Sequence, residues 1–221
     1  MKVDIKGAII PNDDAFVYNF FKMDYTCPKL IHSAISQCKN NEVLDVYINS
    51  GGGSVFAGLE IYNALRDYSN TKIHIVGLAG SIASVIAMSG DCEMLPVSQI
   101  MVHNVSSYAE GDYREMDKSS QMLQTACDTI AMAYVLKSGL SKEEVRKMMD
   151  NETWLTPQQA LELHLVDSIA EYKKNNSKNI HVNNLVANSY QNMIPQTIID
   201  KINLERQKAM LNLLKLKGDV K

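Results

Sequence analysis

Two short segments and one isolated residue carry groups that could break an amide. Hydrolysis of that bond needs a nucleophile, a base to take its proton, and donors for the oxyanion that forms. Gly77-Leu78-Ala79-Gly80-Ser81-Ile82-Ala83 is a turn of small residues running into a helical pattern. It puts the Ser81 hydroxyl at a helix N-terminus, where the dipole favours developing negative charge. Gly51-Gly52-Gly53 can bring bare backbone N–H groups close to a substrate, because glycine has no Cβ in the way. His103 ends a short apolar run and has the chemistry of a general base. Each also has a plainer reading: a serine in such a turn is ordinarily a helix cap, and a single histidine at a strand end is ordinarily structural. His74 and His164 are read as structural or exposed.

For these groups to meet, they must lie at one edge of a common scaffold. Short apolar runs alternate with helical patterns along the chain. VDIKGAII (3–10), LDVYINS (44–50), TKIHIVGLA (71–79) and SQIMVHN (98–104) read as strands. The triple glycine breaks the second of these. Helical spacing runs over 15–38, punctuated by Pro28, with a helix expected from about Lys29 to Cys38. Further helices are expected over Ser54–Arg66, from Ser81 to Met88, and over 113–137. Ser141 followed by Glu144 is a capping box for a short helix, and Thr156 with Pro157 opens another. This order favours an α/β fold with a parallel sheet and right-handed crossovers. In such sheets ligands bind at the carboxyl edge of the strands. After Glu171 the composition turns Asn/Lys-rich. Residues 1–171 are therefore expected as the folded domain, 172–193 as a polar linker and 194–221 as an amphipathic helical tail carrying Ile198, Ile199, Ile202, Leu204, Met210, Leu211 and Leu214.

Bulk composition narrows the class. The chain has 221 residues, 46% of them apolar, which suffices for a sizeable core. A formal net charge of −3 carries no basic field for nucleic acid or an acidic membrane surface. No apolar run approaches the roughly 18 residues of a membrane span, and the first residues lack a signal-peptide pattern. A cytoplasmic chain is expected. The four cysteines are scattered without a C-x-x-C pair and the five histidines do not cluster with them, so neither a disulfide, a metal nor another cofactor is expected.

Four blocks make a resemblance specific: INSGGGSVFAGLEIYNAL, GLAGSIASVIAMSGD, LPVSQIMVHN and ETWLTPQQALELHLVDSI, in that order over roughly residues 44–170. Together they resemble the ClpP peptidase family, and most closely its phage and prophage branch of head-maturation (prohead) proteases. The resemblance implies a ClpP/crotonase-like arrangement of repeated strand–helix units with a protruding dimerisation helix. It implies a serine endopeptidase. The family's nucleophile pattern lands on Ser81, not on Ser84 or Ser89, and its base pattern on His103. The oxyanion donors carry over to the backbone N–H groups of Gly53 and Ile82. The third catalytic member falls on Glu152, two residues before Trp154, with Asp150 as the other candidate; Asp167 is not placed in the triad.

The same resemblance implies a homo-oligomer, a heptameric ring, single or double, acting on proteins or peptides. Capsid, scaffold or portal precursors in the cytoplasm of a bacterial host fit the phage branch. No counterpart of the family's N-terminal pore-loop segment is seen, so ATP-independent action without an AAA+ unfoldase is expected. Gly51 stands where common members have proline. For the 113–137 helix, simple packing on the domain remains as open as a handle between rings. Two other classes stay open: a degenerate, non-catalytic assembly or scaffolding ring, and a crotonase-type acyl-CoA enzyme, which would not need the serine–histidine pair.

Overall fold

A computed structural model describes residues 1–39 and 42–171, and a C-terminal helix over 195–218 whose side chains are described only as far as residue 208. The expected 172–193 linker lies outside the described residues.

Alternation of apolar and polar residues builds the sheet. β1 (Lys2–Ile9), β3 (Leu44–Gly53) and β4 (Thr71–Gly80) lie side by side and parallel, and every second residue of β3 from Leu44 to Ser50 is buried. Two-residue β2 (Tyr25–Thr26) extends the sheet beyond β1. On the other side β4 divides. Its first half pairs with β5 (Asp91–Met94), which in turn pairs with β8 (Ser168–Ile169); its last residues, Leu78–Gly80, pair with β6 (Gln99–Val102). All these pairings are parallel. β7 (Thr153–Leu155) runs antiparallel to β6, with Val102 opposite Thr153.

The connections are helical, as parallel pairing requires. α1 (Ala15–Phe20) and α2 (Pro28–Gln37) link β1 to β3, α3 (Val55–Asp67) links β3 to β4, and α4 (Ile82–Ala87) leaves β4. α4 is wholly buried, since its residues IASVIA carry no charge and little bulk. It joins Ile48, Ile61, Ile73, Ile75 and Met88 in the main core. A buried side chain of this kind contributes roughly 1.5–3 kcal/mol.

α5 (Tyr113–Ser138) opens at an Asp112–Glu115 capping box and ends at Gly139 in the left-handed region. Residues 113–126 include none that is buried, whereas Cys127, Ile130, Ala131, Ala133 and Tyr134 are sunk into the domain. Its first half therefore projects from the body. α6 (Lys142–Asp150) and α7 (Pro157–Glu162) begin at the expected capping boxes of Ser141 and Thr156.

The last helix, α8 (Gln196–Gly218), places Ile199 in a second cluster with Ile10, Val17, Tyr18 and Cys27. Its Asn203 Nδ2 donates to Asp14 Oδ1 at 3.3 Å. The tail thus packs against α1 along its described part. No described helix is long and apolar enough to cross a membrane.

Some elements depart from the sequence reading. The helical spacing over 15–38 is interrupted by a turn at Lys22 (φ 53°) and by β2. β3 runs through the triple glycine instead of stopping before it, because a register shift between Lys6 and Ala8 lets Gly52 and Gly53 stay paired with β1. β5, β7 and β8 do not stand out in the sequence.

Candidate active site

The carboxyl ends of β3, β4 and β6 deliver the three groups singled out by residue type. β4 ends at Gly80 and the chain turns sharply at Ser81, whose φ of 55° and ψ of −130° lie outside the ordinary wells for a residue with a Cβ. Such a backbone costs on the order of 1–3 kcal/mol and must be held by its surroundings. Ser81 N–H donates to Met101 O at 2.9 Å, tying the turn to β6. The result lifts the Ser81 side chain clear of α4 and toward the end of β6. There His103 Nε2 lies 2.7 Å from Ser81 Oγ.

Gly52 closes on the same turn. Its φ is +100°, and a Cβ there would stand 2.7 Å from Ser81 Cβ and 2.8 Å from Gly80 O. A side chain at that position would push the serine turn away. Gly53 (φ +150°) is pressed as closely on β1, where a Cβ would come within 2.2 Å of Ile9 O. Ile82 is the first residue of α4, so its N–H has no partner within the helix. Gly52 and Ile82 thus border Ser81, and Gly53 follows as the last residue of β3.

Burial holds the His103 imidazole below the ordinary histidine range, and the negative charge of Glu152 offsets part of that effect. The neutral ring, with Nε2 free to accept, is the form matched to a serine hydroxyl donor. Glu152 sits in the left-handed region (φ 45°) just before β7, and its Oε1 accepts from Trp154 Nε1 at 3.3 Å. Among the described residues Ser81 is the one side-chain hydrogen-bond partner of His103. Asp150 is turned aside, its Oδ1 accepting from Asn104 Nδ2 at 2.7 Å. Asp167 is remote from this cluster: its Oδ2 accepts from Cys92 N at 2.7 Å and pairs with Lys137 Nζ. His74 bridges Asp45 and Glu93 across the sheet, and His164 ends α7 in the left-handed region.

Two polar residues beneath the turn carry no signal of their own in the sequence. Ser84 and Tyr134 are both essentially inaccessible, and their hydroxyl oxygens lie 2.7 Å apart. Ser84 reads as one more small residue of a buried helix, and Tyr134 as one more apolar position of a long one. Among the described residues no three His, Cys, Asp or Glu side chains are grouped so as to hold a metal ion.

The arrangement thus sets an imidazole nitrogen within hydrogen-bond reach of the Ser81 hydroxyl, with the Ile82 N–H at the start of α4 next to it. The model of the Clp protease family matches residues 24–173. An ATP-dependent Clp protease proteolytic subunit of Deinococcus radiodurans is 30% identical over 138 residues, covering 60% of this chain and 67% of its own length. The corresponding subunit of Bacteroides fragilis is 32% identical over 130 residues, 57% of this chain and 63% of its own. That of Ligilactobacillus salivarius is 34% identical over 134 residues, 58% and 68% respectively.

Proposed function

Because this chain belongs to the Clp protease family, we propose that it is a serine endopeptidase in which Ser81 is the nucleophile and His103 its general base. The observation that carries the reading is the 2.7 Å contact between Ser81 Oγ and His103 Nε2, made at a strained turn on the sheet's carboxyl edge. In the proposed cycle His103 takes the Ser81 proton as Oγ attacks the peptide carbonyl. The oxyanion is received by the N–H groups of Gly53 and Ile82, donors of a kind worth about 10²–10³ each in rate. His103 then gives its proton to the leaving amine, and water releases the acyl group by the same steps in reverse. Glu152 supports the imidazolium by its charge.

The resemblance of the four sequence blocks to the prohead branch supports a finer reading: limited, ATP-independent cleavage of capsid, scaffold or portal precursors within a host cytoplasm. A ring of identical subunits, heptameric and single or double, would enclose the sites and admit only extended segments. The projecting half of α5 suits a contact between such subunits. Residues 1–171 would form the peptidase body and 194–221 an arm outside it.

Labelling with a fluorophosphonate, followed by peptide mapping, tests the reading. A single adduct on Ser81 is expected, absent in Ser81→Ala and slowed at least a hundredfold in His103→Ala. Since no hydrogen bond joins Glu152 to His103, the other outcome is specific too. An unlabelled but fully assembled protein would make the chain a non-catalytic assembly ring and sink the peptidase reading.

A further inference from the structure

We infer that Ser84 and Tyr134 are positioning residues that aim the Ile82 N–H at the reacting carbonyl. The inference rests on the peptidase reading above and adds two residues to it. Its basis is the planarity of one peptide. Ser81 C=O and Ile82 N–H belong to the same trans unit and point in opposite directions. Whatever fixes the carbonyl fixes the N–H.

Ser81 O accepts from Ser84 Oγ at 2.6 Å and from Ser84 N at 2.9 Å. Ser84 Oγ also lies 3.0 Å from Met101 O, the carbonyl that accepts from Ser81 N–H. Both neighbours of the Ser84 hydroxyl on this side are carbonyls, which only accept. The single Ser84 proton is therefore committed to them, and Tyr134 must be the donor in its 2.7 Å contact with Ser84 Oγ. The chain of donation runs Tyr134 O–H to Ser84 Oγ, and Ser84 O–H to Ser81 O. Both side chains are shut off from water, Ser84 at 0% and Tyr134 at 1% exposure, so no solvent competes for these bonds. Burial pushes the Tyr134 phenol well above its ordinary range, which keeps it a donor.

This chain does what a bare helix start cannot. α4 has six residues and Ser81 offers it no side-chain cap. The strained carbonyl at its head would otherwise be held by the Ser84 N–H alone, and the opposed Ile82 N–H with it. Tyr134 sits on the buried half of α5, so the donor of the oxyanion site is braced against the same helix whose other half projects outward.

The test compares wild type, Ser84→Ala, Tyr134→Phe and the double variant on a short fluorogenic peptide and on a peptide boronate, which forms a tetrahedral adduct. Ser84→Ala should lower kcat about 10–100-fold with KM within about twofold, and weaken the boronate by a similar factor. Tyr134→Phe should lower kcat about 3–10-fold. The double variant should be no worse than Ser84→Ala, because the two act in series. The acid limb of the pH profile should stay in place, since His103 is untouched. Wild-type kcat in the variants, a loss confined to KM, or multiplicative effects would overturn the inference. Tyr134→Phe keeps the ring and decides the matter should Ser84→Ala fail to fold. Variants that match an active, labelled wild type refute the positioning role and leave the peptidase reading intact. An inert wild type refutes both.

Discussion

At His103, burial and the charge of Glu152 push in opposite directions, and burial wins. The sign has a kinetic consequence. A base works in its neutral form, so a lowered pKa keeps it competent to more acid pH. The acid limb of kcat/KM should fall below pH 6.5, the ordinary histidine value. Glu152→Gln removes the opposing charge and should move that limb lower still, while the plateau rate drops about fivefold, as for a partly exposed ion pair near 1 kcal/mol. A pH–rate profile of both proteins checks this, and a limb moving upward would contradict it. The Ser81 turn and the strand end at His103 stand out in the sequence, but each alone also reads as a cap or a structural residue, and the resemblance of the four blocks is what singles them out. The Ser84–Tyr134 pair was not. A buried hydroxyl at a helical spacing looks like filler until the fold brings its partner from 50 residues away.

Short elements decide how those residues are presented, and their caps are testable. Thr156 N–H donates to Gln159 Oε1 at 2.9 Å while Thr156 Oγ1 accepts from Gln159 N at 3.4 Å. Thr156→Ala should cost about 1 kcal/mol and lower Tm by about 2–4 °C in a thermal melt, with kcat unchanged. Helices were the readable part of this chain, since Ser54, Ser141 and Thr156 start them with recognisable side chains. The strands that failed to announce themselves are short or polar. β5 is Asp-Cys-Glu-Met, and only pairing with β4 makes it a strand, with Cys92 and Met94 facing the core. Burial there pushes the Cys92 thiol up to about 12, which leaves it inert. The triple glycine reads as a breaker, yet the close packing of Gly52 on Ser81 and Gly53 on Ile9 makes it the end of a strand.

On the scale of the whole molecule, the described part of the tail meets the body at a small apolar patch. Ile199 is 2% exposed, and Arg206 lies over the Phe16 ring at 4.7 Å. Burial raises the Asp14 pKa, and its bond from Asn203 offsets part of that. Ile199→Asp should detach α8. Limited proteolysis followed by intact mass would then show faster cutting within 196–208 while 1–171 persists as a stable fragment. Equal cutting in both proteins would mean that α8 is not held by this contact.

The order of the chain sets a timetable for the proposed chemistry. Ser81 and His103 are made early and 22 residues apart. Tyr134 and Glu152, their proposed supports, come only with α5 and the approach to β7. A ribosome that has released β6 but still holds the second half of the chain carries a nucleophile and a base without their supports. On the proposed mechanism the growing polypeptide would reach full activity only once the segment through Leu155 has emerged and paired with β6.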